Sequence, residues 1–129
     1  MVLVDSSAWI DFLRGKNTQS VGVMRAARSE DEFCIGDLIL LEVLQGARDE
    51  ADALRIGAVL SEVTMLNLLD TMIATAAAAN FRRLRALGIT IRKTADLIIG
   101  TYCIENDLQL LHSDRDFDPM ARHLGLRVR

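Results

Sequence analysis

The chain has 129 residues, 50% hydrophobic and 26% charged, which supports one compact domain over residues 1–129 and excludes both disorder and a two-domain layout. Its longest apolar runs are broken by charge well short of a bilayer's width, and the opening MVLVDSS has no basic stretch before an apolar run. Neither a membrane span nor a signal peptide is therefore expected.

The chain reads as short strands alternating with helices. Val2 to Asp5 is an apolar run of strand length. Ser6 and Ser7 are N-cap candidates for a helix through Leu13, and Gly15 is its stop signal. A second helix is expected from about Ser20 to Arg28, then a short buried strand from Phe33 to Ile35 closed by Gly36. Asp37 is expected to cap the helix DLILLEVLQGA, which is apolar on nearly every side. Asp49 to Leu60 reads as an amphipathic helix and Val63 to Leu66 as a third strand. Asp70 opens a long helix that runs through Leu87 and ends at Gly88, with small side chains from Ala74 to Ala79. Thr94 is the expected cap of ADLIIGTYCIEND. A strand from Leu108 to Leu111, a short helix and a last strand from Leu126 to Val128 complete the chain. Strands that are apolar throughout, alternating with helices, imply an α/β fold: a parallel sheet sandwiched between helices. Sites in such sheets collect at the carboxyl ends of the strands.

Asp5 ends the first strand, and Asp114 and Asp116 follow the fourth in HSDRDFD. Asp96 lies in the first turn of its helix, at the same edge of a parallel sheet. Each has a structural alternative. Asp5 suits a capping turn, Asp96 the positive end of a helix, Asp114 a cap, and Asp116 solvent. Glu42 is harder to dismiss. It sits among Leu38, Ile39, Leu40, Leu41, Val43 and Leu44, with no basic residue three or four positions away on its helix. A buried carboxylate without a partner is costly, so it calls for a basic partner or a metal, the alternative being a narrow solvent-facing stripe on this helix.

Converging carboxylates repel one another unless a cation neutralises them. Hard oxygen ligands suit Mg²⁺ or Mn²⁺, and such a site suits hydrolysis of a phosphodiester. Zinc-type spacing is absent, with His112 read as flanking the site and His123 as surface. The net charge of −3 argues against a nucleic-acid partner. With the five acids set aside, however, 13 acids face 15 bases, and the remainder carries +2. Arg92 and Lys93, just before Asp96, are candidates for holding phosphates, balanced against a plain surface role. Arg82, Arg83 and Arg85 read as solvated cations at a helix C-terminus. Trp9, Phe12 and Tyr102 read as packing residues. Cys34 and Cys103 read as reduced core residues of a cytoplasmic protein.

The segments VDSSAWIDFLRG, IGDLILLEVLQGAR and IRKTADLIIGTYCIENDLQLLHSDRDF resemble, in order and spacing, the motifs of PIN domains of the VapC type. The match spans nearly the whole chain. The resemblance implies a Mg²⁺- or Mn²⁺-dependent endoribonuclease, the toxin of a bacterial toxin–antitoxin pair. It also implies a homodimer inhibited by a small VapB-like antitoxin. By motif, Asp5, Glu42, Asp96 and Asp114 would form the acidic quartet, with Asp5, Asp96 and Asp114 as metal ligands. Asp116 would be an auxiliary acid, and Ser6 would hydrogen-bond within the site.

Three other readings compete. A receiver-like signalling domain needs paired acids after the first strand and a late lysine, and neither is present. A DxD phosphatase fails because Ser7 stands two residues after Asp5. A non-catalytic PIN-like RNA- or protein-binding module is opposed by the intact set of acids.

Overall fold

The computed structural model describes residues 1–27 and 32–129. Arg28, the expected end of the second helix, lies outside them. The elements are β1 (Val2–Val4), α1 (Ser6–Leu13), α2 (Gln19–Ala26), β2 (Phe33–Gly36), α3 (Asp37–Gln45), α4 (Glu50–Leu60) and β3 (Thr64–Leu66). They continue as α5 (Thr71–Ala86), α6 (Thr94–Glu105), β4 (Gln109–Leu111), a 3-10 turn (Arg115–Phe117), α7 (Asp118–His123) and β5 (Arg127–Val128).

The five strands form one parallel sheet in the order β3-β2-β1-β4-β5. Val2 lies opposite Phe33 on one side and Gln109 on the other, which makes β1 the central strand. All three β1 residues are buried. Successive strand side chains point to opposite faces, so helices must cover both faces of the sheet. The edge strands differ: Thr64 and Met65 of β3 and both residues of β5 are exposed. This strand order rules out the receiver-like reading, whose sheet runs 2-1-3-4-5.

The order also locates the crevice. Crossovers carry the chain from β1 to β2 to β3 on one side and then back past β1 to β4. The direction reverses between β1 and β4, and ligands bind outside the carboxyl ends of strands at such a reversal. Asp5 leaves β1 there, and its N–H donates to Leu111 O at 2.9 Å. The loop bearing Asp114 and Asp116 leaves β4 beside it.

Several helix starts differ from the sequence-based expectation. Asp5, not Ser6 or Ser7, caps α1, because its carboxylate accepts from the Ser7 N–H. Thr18 caps α2, accepting from the Val21 N–H. Lys93, not Thr94, stands at the N-cap of α6, and no side-chain cap bond forms there. Asp37 lies inside α3, where its carboxylate joins the Leu38 and Leu68 N–H groups and so ties the helix to the chain after β3. Asp49 and Asp70 do cap α4 and α5. Nor is α3 apolar and buried all round: Ile39 and Val43 face the core, while Leu41 is 54% exposed. The helix packs against α1 on one side and α4 on the other. Both cysteines are free and buried, and burial pushes their thiols up to about 11 for Cys34 and about 12 for Cys103. No helix among the described residues is long and apolar enough to cross a membrane.

Candidate active site

Asp5 is fixed on one side only. Its Oδ2 accepts from Ser7 Oγ at 2.6 Å and from Ser7 N at 3.1 Å, while Oδ1 is buried with no hydrogen-bond partner among the described residues. Burial raises its pKa, and the Ser7 bonds oppose that rise. The backbone explains the asymmetry. Capping α1 turns one carboxylate oxygen towards the helix N-terminus and leaves the other facing the crevice.

Asp96 reaches the crevice from the first turn of α6. It is 4% exposed, and its Oδ2 is likewise buried without a partner among the described residues. Burial pushes its carboxyl up to about 7, the negative charge of Asp5 pushes the same way, and Lys93 resists. Glu42 is half-buried on α3, and its Oε1 is the third buried carboxylate oxygen without a partner among the described residues. Its pKa is raised by burial first and by Asp5 second, against Lys93 and the Ser6 hydroxyl. Lys93, at the start of α6, acts on Glu42 only as a nearby charge, since its ion pairs are with Asp114 and Asp116.

Asp114 is held in the loop after β4. Its N–H donates to His112 Nδ1 at 3.1 Å, and its Oδ1 accepts from the Asp116 N–H at 2.9 Å. The His112 ring rests on Phe117, with centroids 5.0 Å apart. One carboxylate oxygen from each of Asp96, Asp114 and Asp116 lies within 4.8 Å of the others. Lys93 Nζ reaches across this group, 3.5 Å from Asp114 Oδ2 and 3.6 Å from Asp116 Oδ2. These acids in turn raise the Lys93 pKa.

All five acids expected from the sequence therefore share one crevice. The tightest group is Asp96, Asp114 and Asp116, with Asp5 and Glu42 near enough for their charges to act on Asp96. Asp116, which on sequence grounds has the smallest part, stands inside that group. Ser6 flanks Glu42, Lys93 bridges the acids, and Arg92 is exposed beside them. Ser7 is not among the site residues expected from the sequence, although it is the direct partner of Asp5. A hydroxyl two residues after a capping acid is the signal that points to it.

A divalent cation fits this donor set. The ligands are all hard carboxylate oxygens, and three buried ones lack any hydrogen-bond partner among the described residues, at a cost that a cation would offset. Zinc chemistry does not fit, since no thiolate and only one imidazole lies nearby, and that imidazole is engaged by the Asp114 N–H.

Residues 2–123 match the PIN domain family. Over 130 aligned residues the chain is 30% identical to Ribonuclease VapC11 of Mycobacterium tuberculosis, covering 99% of this chain and 97% of that protein. Among solved structures, VapBC2 from Rickettsia felis, bound to a DNA fragment from its promoter, superposes with a TM-score of 0.80 at 13% identity. That alignment covers 100% of this chain and 98% of the other. DNA-bound VapBC from Salmonella typhimurium gives a TM-score of 0.76 at 20% identity, covering 99% and 96%. The fold of these neighbours, the family match over almost the whole length and the full-length VapC relative agree with one another. The chain belongs to the PIN-domain family, among its VapC-type members.

Proposed function

We propose that this protein is a Mg²⁺- or Mn²⁺-dependent endoribonuclease, the cytoplasmic toxin of a toxin–antitoxin pair, neutralised by a VapB-like antitoxin. The observation that carries the reading is the buried Asp96 Oδ2, which, like Asp5 Oδ1, has no hydrogen-bond partner among the described residues and belongs to a carboxylate grouped with Asp114 and Asp116. A binding module without catalysis leaves these costly groups unexplained.

In this reading Asp5, Asp96 and Asp114 would hold the metal, with Asp116 close to them. A bound ion would supply Lewis acidity and a water of lowered pKa. The chain supplies the rest. Ser7 keeps the Asp5 carboxylate turned so that only Oδ1 faces the crevice. Glu42, whose Oε1 is free of partners among the described residues and whose pKa burial raises, would take up a proton, with Ser6 beside it. Lys93 and the exposed Arg92 supply positive charge where an RNA phosphate would approach acids that otherwise repel it. The antitoxin assignment rests on the VapBC complexes among the structural neighbours.

The test is direct. Purified protein is incubated with total bacterial RNA, with Mg²⁺ or with excess chelator, and the new ends are mapped. Discrete internal cuts that require the metal are expected. Intact RNA under both conditions contradicts the reading.

A further inference from the structure

Asp114 and Asp116 sit on a loop, and like charges on a loop tend to spread apart. Their placement near Asp96 therefore needs a restraint other than the metal itself. Besides the Lys93 ion pairs, the structure contains one built from serine hydroxyl groups, of which the metal reading uses only that of Ser7. Ser7 Oγ, already donating to Asp5, accepts from the Ser113 N–H at 3.0 Å. Ser113 Oγ donates to Ser20 Oγ at 2.9 Å, and Ser20 Oγ donates to the His112 carbonyl at 2.8 Å. Asp114 then donates its own N–H back to His112 Nδ1. The links run unbroken from Asp5 through α1 and the loop to α2, and the donor and acceptor roles along them are mutually consistent.

Ser20 is the anchor. It is 5% exposed, in the first turn of α2, an element that contributes no acid to the crevice. A buried hydroxyl that both donates and accepts defines position far better than a solvated one. Its two partners, the Ser113 hydroxyl and the His112 carbonyl, belong to the residues immediately before Asp114.

We infer that Ser20 and Ser113 are positioning residues for the metal site. Through Ser7 they suspend the Asp114–Asp116 loop from α1 and α2, so that these acids face Asp96 before the cation arrives. Among the described residues neither hydroxyl is bonded to a crevice carboxylate. Their effect is on the geometry of the loop acids, and outer hydrogen bonds of this kind tune metal affinity. The inference rests on the metal reading above.

The test measures Mn²⁺ affinity by titration calorimetry and, separately, melting temperature in chelator. Ser20→Ala and Ser113→Ala should each weaken Mn²⁺ binding by about tenfold. Because Ser20→Ala already breaks the Ser20–Ser113 bond as well as that to the His112 carbonyl, the double variant should be little worse than Ser20→Ala alone. Ser113→Thr, which keeps the hydroxyl at an exposed position, should restore the affinity. Thr18→Ala is the control, since it removes the cap of the same helix without touching the loop. It should lower the melting temperature and leave Mn²⁺ affinity unchanged. Ser113→Ala binding Mn²⁺ as tightly as the wild type would overturn the inference while leaving the metal reading intact. So would Thr18→Ala weakening binding as much as Ser20→Ala. Failure of the wild type to bind Mn²⁺ would overturn both.

Discussion

Asp96 shows how one carboxyl can be costly to the fold and useful to the site. Its pKa is about 3.8 in an unfolded chain and about 7 here, chiefly through burial. Between these values the folded protein holds a proton that the unfolded chain has released. Stability from this group is therefore fully present below about pH 4 and is lost as pH rises through 7. The raised carboxyls of Asp5 and Glu42 act in the same direction. Asp96→Asn removes the titration and keeps the size. In chelator, its stability relative to the wild type should grow between about pH 4 and pH 7.5. Urea unfolding across that range checks this, and a difference that stays constant with pH would contradict it. Saturating Mn²⁺ should restore the wild type above neutral pH, because the ion binds only the folded, ionised site.

At the scale of elements, two glycines separate packing from backbone freedom. Gly36 ends β2 and precedes α3, with φ −92°, which any residue adopts. What requires glycine is Leu68, whose fully buried side chain occupies the space a Cβ would need. Gly57 lies inside α4, where an added methyl group would meet nothing within 4 Å. Gly36→Ala should therefore destabilise by about 1–3 kcal/mol through overpacking. Gly57→Ala should stabilise by about 0.5–1 kcal/mol through helix propensity. Thermal unfolding of the two variants reads both, and equal shifts in one direction would refute the distinction. Much at this scale is legible in the residues alone. Apolar runs such as VLV and FCI, and stops at Gly15 and Gly88, give the elements and their order because period and punctuation are local properties. Asp49 and Asp70 are legible as the residues that open their helices for the same reason. For α1 the sequence offers Asp5, Ser6 and Ser7 as caps, and only the turn of the chain after β1 decides for Asp5. The exposure of Leu41 depends on which neighbours cover α3, which its own sequence does not record.

For the whole molecule, the sheet order matters more than any one contact. It brings residues as far apart as Asp5 and Asp114 to one crevice, and carboxylates at strand ends make that convergence legible in the sequence. Ser20 and Ser113 are not legible there, because a serine in a first turn or a loop has an adequate local explanation and their bond spans 93 positions. Assembly is a separate question. Thr71, Met72, Thr75, Ala76 and Ala79 line a shallow apolar groove on α5, and Met72 and Leu69 beside it are 80% and 50% exposed. An exposed apolar face of this kind favours self-association about a two-fold axis. We expect a dimer in sedimentation at micromolar protein and a monomer for Met72→Glu. A wild type that sediments as a monomer would refute this.

Whether the crevice acids make the protein a metal-dependent nuclease is tested most directly by the cleavage rate of an RNA substrate at saturating Mg²⁺ for Asp5→Asn and Asp96→Asn. Each substitution keeps the shape of the side chain and removes a charge from the metal site. A loss of roughly a hundredfold or more is expected for each, comparable to removing one transition-state contact. Either folded variant cutting RNA at the wild-type rate would contradict the assignment.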